Sequence, residues 1–213
     1  MTNLLVCAPN FYGVKYEINA WMDVDISVDK KVAHLQWLRM CDRLIRSGAY
    51  LRYIEPSPDF PDMVFTANAG LVKDKIVILS NNRHKERQGE SPLFKQWFLE
   101  HGYRVIELPR DVYFEGAGDA LFFNNTLFMG HGFRTSKESH RIIANALDVH
   151  LVSCELVDPN FYHLDTCLFP MKDRIIYYPE AFSKKSREKI IGGLASECLL
   201  SNIDAELISV YVS

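Results

Sequence analysis

The sequence predicts an α/β fold built from a repeated strand-strand-helix-strand (ββαβ) unit. Three observations support this: pairs of short apolar runs joined by polar turns, an amphipathic segment of helical period after each pair, and a further apolar run after each helix. The pattern recurs at about 62–108, 115–156 and 163–210, and a partial copy occupies 1–56. Because one unit cannot bury its apolar faces alone, we expect the copies to pack side by side in one incomplete domain, 1–213.

The partial copy lacks a hairpin. It has a strand at 4–8, a helix at 29–47 and a closing strand at 51–55. Gly48 ends the helix. The residues predicted to face inward are Val32, Leu35, Leu38 and Ile45. Without a hairpin of its own, this copy leaves an open strand edge, and we expect self-association into a homo-oligomer, a compensating partner chain or low stability.

The three complete copies share one order of elements. Hairpin turns are predicted at 73–74, 124–125 and 172–173, and closing strands at 103–106, 149–156 and 205–210. The first strands of two copies are predicted to begin at 64 and 164.

The helices of these copies carry recognisable start and stop signals. Ser91 precedes Pro92 at a predicted first helical position, and Gly102 follows the last turn. Thr135 and Glu138 have the spacing of a capping box. The third helix begins after position 183, and its predicted buried stripe is Ile190, Ile191 and Leu194.

Composition excludes several classes of partner. The chain has 24 Lys+Arg against 27 Asp+Glu and no basic block, so we expect neither nucleic-acid nor membrane-surface binding. No apolar run reaches the ~18 residues needed to span a bilayer, which predicts a soluble, cytoplasmic protein with a small-molecule partner. Five scattered cysteines without Cys-x-x-Cys spacing argue against disulfides and a zinc site, and we expect no metal or cofactor.

Each complete copy carries a polar residue where an apolar one would suit a strand start. These residues are Asn68, Asp119 and Asp165. A polar residue that only caps a turn explains any one of them, but three in equivalent positions favour convergence on a common site. Two carboxylates and an amide suit a cationic ligand with several donors, and a guanidinium fits best.

His163 lies two residues before Asp165, so on a strand both side chains would point to the same face. A lone histidine is more often a core or surface residue. Paired with this carboxylate and with Glu115, it is typical of a general acid–base site. The segment 115–119 is no phosphate loop, because it matches no phosphate-binding pattern and its two carboxylates would repel phosphate.

Several motifs together resemble the guanidino-group-modifying superfamily, which includes arginine deiminases, amidinotransferases and dimethylarginine dimethylaminohydrolases. The matching segments are 61–70, 115–119 and 163–166, and segments 16–22 and 83–90 resemble the bacterial dimethylargininase-like and arginine dihydrolase-like branch. The resemblance covers essentially the whole chain. It implies a pentein α/β-propeller of five ββαβ units, of which about four are present here.

The resemblance also implies roles for individual residues. His163 corresponds to the general acid–base and Glu115 to the carboxylate that orients it. Asp165 corresponds to a carboxylate that binds the guanidinium, with Asp119 beside it, and Asn68 stands where deiminases and dimethylargininases have a second aspartate. Further substrate-binding candidates, toward the amino-acid end of the ligand, are Arg134, Arg87 and Asn19.

The resemblance implies a hydrolase in which a cysteine thiolate attacks the guanidinium carbon of arginine or an N-methylated arginine. The family places that cysteine in a Gly-Cys-Pro-like segment of the fifth unit, which the printed 213 residues do not reach, so we expect no turnover by this chain alone. A substitute role for Cys167 is less favoured than packing. The alternatives are an inactive member that binds a guanidino amino acid or a protein partner, or a repeat scaffold without a site.

Overall fold

The computed structural model describes residues 2–192 and 199–201. The partial unit consists of β1 (Asn3–Cys7), α1 (Lys30–Arg46) and β2 (Tyr50–Ile54). The two strands pair in parallel, with Asn3 opposite Tyr50. A long segment without regular strands or helices, residues 8–29, connects β1 to α1.

Three further units follow with a common topology. The first contains β3 (Gly70–Lys73), β4 (Ile76–Leu79), α2 (Lys85–Gln88), α3 (Glu90–Glu100) and β5 (Arg104–Ile106). The second contains β6 (Ala120–Phe123), β7 (Thr126–His131), α4 (Lys137–Leu147) and β8 (His150–Glu155). The third contains β9 (Leu168–Pro170), β10 (Ile175–Tyr177), α5 (Lys184–Gly192) and β11 (Leu199–Ser201).

Every one of these units forms a three-stranded mixed sheet. The middle strand pairs antiparallel with the first strand and parallel with the third. Asp74 and Asn124 adopt left-handed backbone conformations in the two-residue hairpin turns, which aspartate and asparagine tolerate well. The repeated ββαβ unit is therefore confirmed. The closing strand predicted at 205–210 lies outside the described residues. Within the described residues, β11 is the parallel partner of β10.

Neighbouring units bury their apolar faces against each other. One core cluster joins the partial unit to the first complete unit and contains Cys7, Ile54, Val77 and Phe94. A second joins the next pair through Leu71, Ile78, Leu127 and Ile143. A third joins the last pair through Phe128, Val152, Leu168 and Ile175. The mixed α/β class and side-by-side packing hold, while the arrangement as a pentein-type propeller with about four of five units remains a prediction.

Helix α1 begins and ends as predicted but presents a different face. The Asp29 carboxylate accepts the N–H groups of Lys31 and Val32, and Gly48 follows the helix with a φ of 87°. The predicted inward residues are instead 46–54% exposed: Val32, Leu35, Leu38 and Ile45. Cys41 packs instead against Val6 and Leu51 of the two-stranded sheet. Helix α1 therefore has two apolar stripes, and the narrow sheet covers the stripe with Cys41 and leaves the predicted one exposed.

The remaining helix signals are partly corrected. Helix α3 begins at Glu90, two residues before the predicted first helical position at Pro92. Pro92 therefore lies within the first turn of the helix, where its missing N–H costs no hydrogen bond. Gly102 follows this helix with a φ of 73°, as predicted. In α5, Ile190 is buried but Ile191 is 51% exposed, and Leu194 lies outside the described residues. Among the described helices, none is long and apolar enough to cross a membrane.

Candidate active site

Three short 3₁₀ turns create the site, each just before the first strand of a complete unit. They span Thr66–Ala69, Gly116–Gly118 and Leu164–Thr166. The strand starts predicted at 64 and 164 are therefore wrong. A 3₁₀ turn aims its polar residues differently from a strand, so His163 is 5% exposed whereas Asp165 is exposed, and the two do not share a strand face.

His163 lies between two carboxylates. Its Nε2 is 3.3 Å from Oε2 of Glu115, and its Nδ1 is 3.1 Å from Oδ2 of Asp119. Burial alone would lower the pKa of His163, but the two carboxylates raise it to about 10. The imidazole is therefore expected to be protonated at neutral pH, as a group that can donate a proton.

Glu115 is fully buried and gathers cationic and N–H partners. Its Oε2 accepts a hydrogen bond of 2.8 Å from Nη1 of Arg134, and its Oε1 accepts the backbone N–H of Arg83 at 3.2 Å. Burial opposes ionisation, yet His163 and Arg134 hold the pKa of Glu115 below its usual range. Glu115 is thus an anion at neutral pH, as an orienting partner of the histidine must be.

Arg134 lies inside the protein rather than at the rim of the site. Its side chain is 3% exposed, and its Nη2 donates to the carbonyl of Ile18 at 2.8 Å. The guanidinium also lies over the ring of Tyr162, with Cζ 4.7 Å from the ring centre. The contact with Ile18 ties the 8–29 segment to the site. A role in binding a ligand carboxylate would add to these contacts and stays a prediction.

Asn68 and Arg87 form a buried layer behind Glu115. Nδ2 of Asn68 donates to the Glu115 carbonyl at 2.9 Å, and Oδ1 of Asn68 accepts from Nη1 of Arg87 at 3.1 Å. Arg87 is 4% exposed and makes two 2.8 Å bonds to the Glu90 carboxylate. Its Nη2 also donates to the Asp62 carbonyl at 3.2 Å, so four of the five N–H donors of Arg87 are bonded within the protein, and a contact with a ligand carboxylate stays a prediction.

Asp165 and Asn19 are the more accessible members of the predicted set. Asp165 is exposed, yet desolvation by the surrounding protein raises its pKa to about 7, with His163 acting in the opposite direction. Asn19 is half-buried, and its Oδ1 accepts the backbone N–H of Trp21 at 2.9 Å. It lies next to Ile18 in the chain, but its contact with a ligand remains a prediction.

The glycines of the 115–119 segment allow the turns to approach each other closely. Gly116 has a φ of 66°, and a Cβ there would lie 2.6 Å from the Ala67 carbonyl oxygen. A Cβ on Gly118 would lie 2.5 Å from Nδ2 of Asn68. Side chains at either position would push the Asn68 turn away from Glu115.

None of the four described cysteines is placed as a nucleophile. Cys7, Cys41, Cys154 and Cys167 are all buried and unbridged. Burial raises the pKa of Cys167 well above its usual range, and the thiol lies within the core and donates to the carbonyls of His163 and Leu164. These contacts favour a packing role for Cys167 over a role as a nucleophile. Cys198 lies outside the described residues.

The sequence did not reveal Thr135, Tyr162 and Ile18 as site residues. Thr135 was predicted to cap α4, but Ser136 occupies that position and the Thr135 hydroxyl bonds to Asp119 instead. The only signal for this role was its position directly after Arg134. In the part of the chain that the structure describes, no cluster of three His, Cys, Asp or Glu side chains could hold a metal ion.

Comparisons with known proteins identify relatives of this chain. No family model matches the chain. It is 46% identical over 190 residues to the bifunctional arginine dihydrolase/ornithine cyclodeaminase ArgZ of Synechocystis, covering 88% of this chain and 27% of that protein. It is 41% identical over 198 residues to the N(G),N(G)-dimethylarginine dimethylaminohydrolase of Mycobacterium tuberculosis, covering 92% of this chain and 65% of the other. The chain thus spans less than two thirds of either curated relative.

A solved structure of one of these relatives has the same fold as this chain. A substrate-bound cysteine-to-serine mutant of the N-terminal domain of ArgZ superposes with a TM-score of 0.90 at 43% identity, covering 96% of this chain and 76% of that domain. Homology over nearly the whole chain, a shared fold and the motifs around His163 lead to one conclusion. The chain belongs to the guanidino-group-modifying superfamily, among relatives that are hydrolases of arginine and dimethylarginine.

Proposed function

We propose that this chain provides the acid–base and guanidinium-binding part of an amidinohydrolase site for arginine or an N-methylated arginine. One observation carries the proposal: His163, held between Glu115 and Asp119, is adjacent in the chain to the turn that exposes Asp165. A relative with 43% identity is an arginine dihydrolase whose N-terminal domain was solved with its substrate.

In the proposed mechanism, the guanidinium lies against the ionised Asp165 carboxylate, which matches its N–H donors. A cysteine thiolate attacks the guanidinium carbon and forms a covalent amidino-enzyme. Protonated His163 donates its proton to the departing nitrogen, and ammonia or an alkylamine leaves. The now neutral His163 then accepts a proton from the water that attacks the amidino carbon, and the thiolate departs.

The other residues support this sequence without reacting. Glu115 stabilises the charged imidazole, and Arg134 neutralises part of the charge on Glu115. Asn68 uses its Oδ1 and one N–H within the protein and has one further N–H with which it can donate to the substrate. The thiol is not supplied by the described cysteines, since all four are buried.

Two measurements test the proposal. The first is release of ammonia, ornithine, citrulline and methylamines from arginine and methylarginines by the 213-residue chain. The second repeats the assay on a chimera that adds the C-terminal part of the ArgZ N-terminal domain that this chain does not cover. We expect turnover by the chimera only, loss of turnover in chimeric His163→Gln, and retained turnover in chimeric Cys167→Ala.

The second candidate, a binder without turnover, is favoured if the chimera binds arginine but releases no product. Turnover by the 213-residue chain that Cys167→Ala abolishes would contradict the packing role of Cys167. Absence of both binding and turnover in the chimera would contradict the proposed function.

A further inference from the structure

Asp119 was expected to contact the ligand, yet its carboxylate is committed inside the protein. Oδ1 accepts the backbone N–H of Leu164 at 3.0 Å, and Oδ2 accepts the hydroxyl of Thr135 at 2.6 Å. Oδ2 is also the oxygen 3.1 Å from Nδ1 of His163, and the residue is 1% exposed. A guanidinium would have to compete with all three partners to reach this carboxylate.

Thr135 uses both bonding capacities of its hydroxyl. It donates to Oδ2 of Asp119 and accepts the backbone N–H of Glu115 at 3.1 Å. One small side chain therefore connects the two acidic residues on either side of the His163 ring. Because the Leu164 N–H belongs to the residue after His163, Asp119 also fixes the backbone that carries the ring.

We infer that Asp119 is a positioning residue for His163, held in place by the Thr135 hydroxyl, and is not a contact of the guanidino ligand. This inference rests on the proposed function, in which His163 transfers protons. Asp119 acts through the histidine. Its negative charge favours the protonated ring, and the hydrogen bonds from the Thr135 hydroxyl and the Leu164 N–H fix the position of that charge.

The contact between Asp119 and the ring is one of charge and proximity. Nδ1 of His163 is buried and makes no aligned hydrogen bond, although Oδ2 of Asp119 is within 3.1 Å. The other groups around the ring are Glu115 at Nε2, Asp165 and the ring of Tyr162, 4.9 Å away. Arg134 acts on the ring indirectly, through Glu115. Removal of the Asp119 charge should therefore leave a ring that is still held but less readily protonated.

The decisive measurement is a histidine titration by NMR on the substrate-free 213-residue chain. Labelled His163 is assigned by its loss in His163→Gln, and His101, stacked on Trp97, serves as the internal reference. We expect Asp119→Asn to lower the pKa of His163 by about 1–3 units, the scale for loss of one adjacent opposite charge. The matched control is Asp173→Asn, an exposed aspartate paired with Arg174. An unchanged His163 titration in Asp119→Asn would overturn the inference.

The Thr135 hydroxyl is tested separately, which keeps the inference testable if Asp119→Asn fails to fold. Thr135→Val keeps the size of the side chain but removes both hydrogen bonds, while Thr135→Ser keeps them. A shift of the His163 titration in Thr135→Val that is absent in Thr135→Ser supports the role of the Thr135 hydroxyl in holding Asp119, because serine keeps the two hydrogen bonds that valine loses. An unchanged titration in Thr135→Val would contradict it.

Kinetics in the ArgZ chimera separate positioning from ligand contact. We expect Asp119→Asn to lower kcat about tenfold or more, a smaller loss than the roughly 100-fold or more that a general acid–base contributes because His163 itself remains, with KM for arginine within about twofold. A raised KM with an unshifted His163 titration would show that Asp119 contacts the ligand and would overturn the inference. If the wild-type chimera has no turnover, the proposed function fails, and the NMR titration still decides the role of Asp119.

Discussion

Oε2 of Glu115 lies 2.8 Å from Nη1 of Arg134 and 3.3 Å from Nε2 of His163, so one buried oxygen serves two cations. This arrangement links stability to protonation. The folded protein holds a proton on His163 up to a pKa of about 10, whereas an unfolded histidine releases it near 6.5.

The first prediction concerns this linkage. Between about pH 6.5 and pH 10 the folded state binds the His163 proton and the unfolded state does not, so the contribution of this proton to stability is full below pH 6.5 and is lost as the pH rises toward 10. The contribution falls by up to about 1.4 kcal/mol per pH unit. Urea unfolding at pH 7, 8 and 9 should show a shallower decline in His163→Gln than in wild type. His150→Gln, at an exposed site, is the control and should keep the wild-type slope.

The second prediction concerns guanidinium binding by Asp165. Because the pKa of Asp165 is raised to about 7, the carboxylate ionises between pH 6 and pH 8. We expect arginine to bind about tenfold more tightly at pH 8 than at pH 6, and Asp165→Asn to weaken binding at pH 8 by about 10- to 100-fold and remove the pH dependence. Isothermal titration calorimetry with the ArgZ chimera measures both effects. Equal affinities in the variant and wild type would exclude Asp165 as a guanidinium contact.

The third prediction compares two glycines with positive φ. Gly102 has open space around its Cβ position, whereas a Cβ on Gly116 would meet the Ala67 carbonyl oxygen at 2.6 Å. Gly102→Ala should therefore cost only the left-handed backbone penalty, about 1–2 kcal/mol. Gly116→Ala should cost more and also abolish turnover of the chimera, because Glu115 must shift. Similar losses of unfolding free energy in both variants would show that the two turns can separate without strain.

The fourth prediction concerns the buried pair of Arg134 and Glu115. Arg134→Met leaves the buried Glu115 carboxylate with only one of its two cations, His163, and should lower the free energy of unfolding by up to about 3–5 kcal/mol. Adding Glu115→Gln should recover part of that loss, a coupling that a double-mutant cycle measures. Arg46→Met, which removes an exposed ion pair with Asp42, is the control for general loss of an arginine. An additive double mutant would contradict the pairing.

The family resemblance also predicts that Arg134 binds the α-carboxylate of the ligand. If it does, Arg134→Lys should weaken arginine more than agmatine, which lacks that carboxylate. Equal losses for both ligands would assign Arg134 to the support of Glu115 alone.

The sequence by itself determined the repeat and the pairing of two candidate site residues, His163 and Glu115. Alternating apolar runs, two-residue turns and helical periods gave the ββαβ order, because they depend on local geometry. The motifs around His163 and Glu115 identified the residues that the structure brings within 3.3 Å. Asp29 and Gly48 bounded α1, because capping depends on neighbouring residues in the chain.

Only the tertiary structure decided how those residues are used. The period of α1 shows that the helix has apolar stripes, but which stripe is buried depends on the width of the sheet beside it, and Cys41 rather than Leu35 faces that sheet. The hydroxyl of Thr135 leaves the helix cap because two partners from another turn, Asp119 and the Glu115 N–H, lie within reach. Arg87 is buried because Glu90 and Asn68 satisfy its donors there, and such long-range pairing has no signature in local sequence.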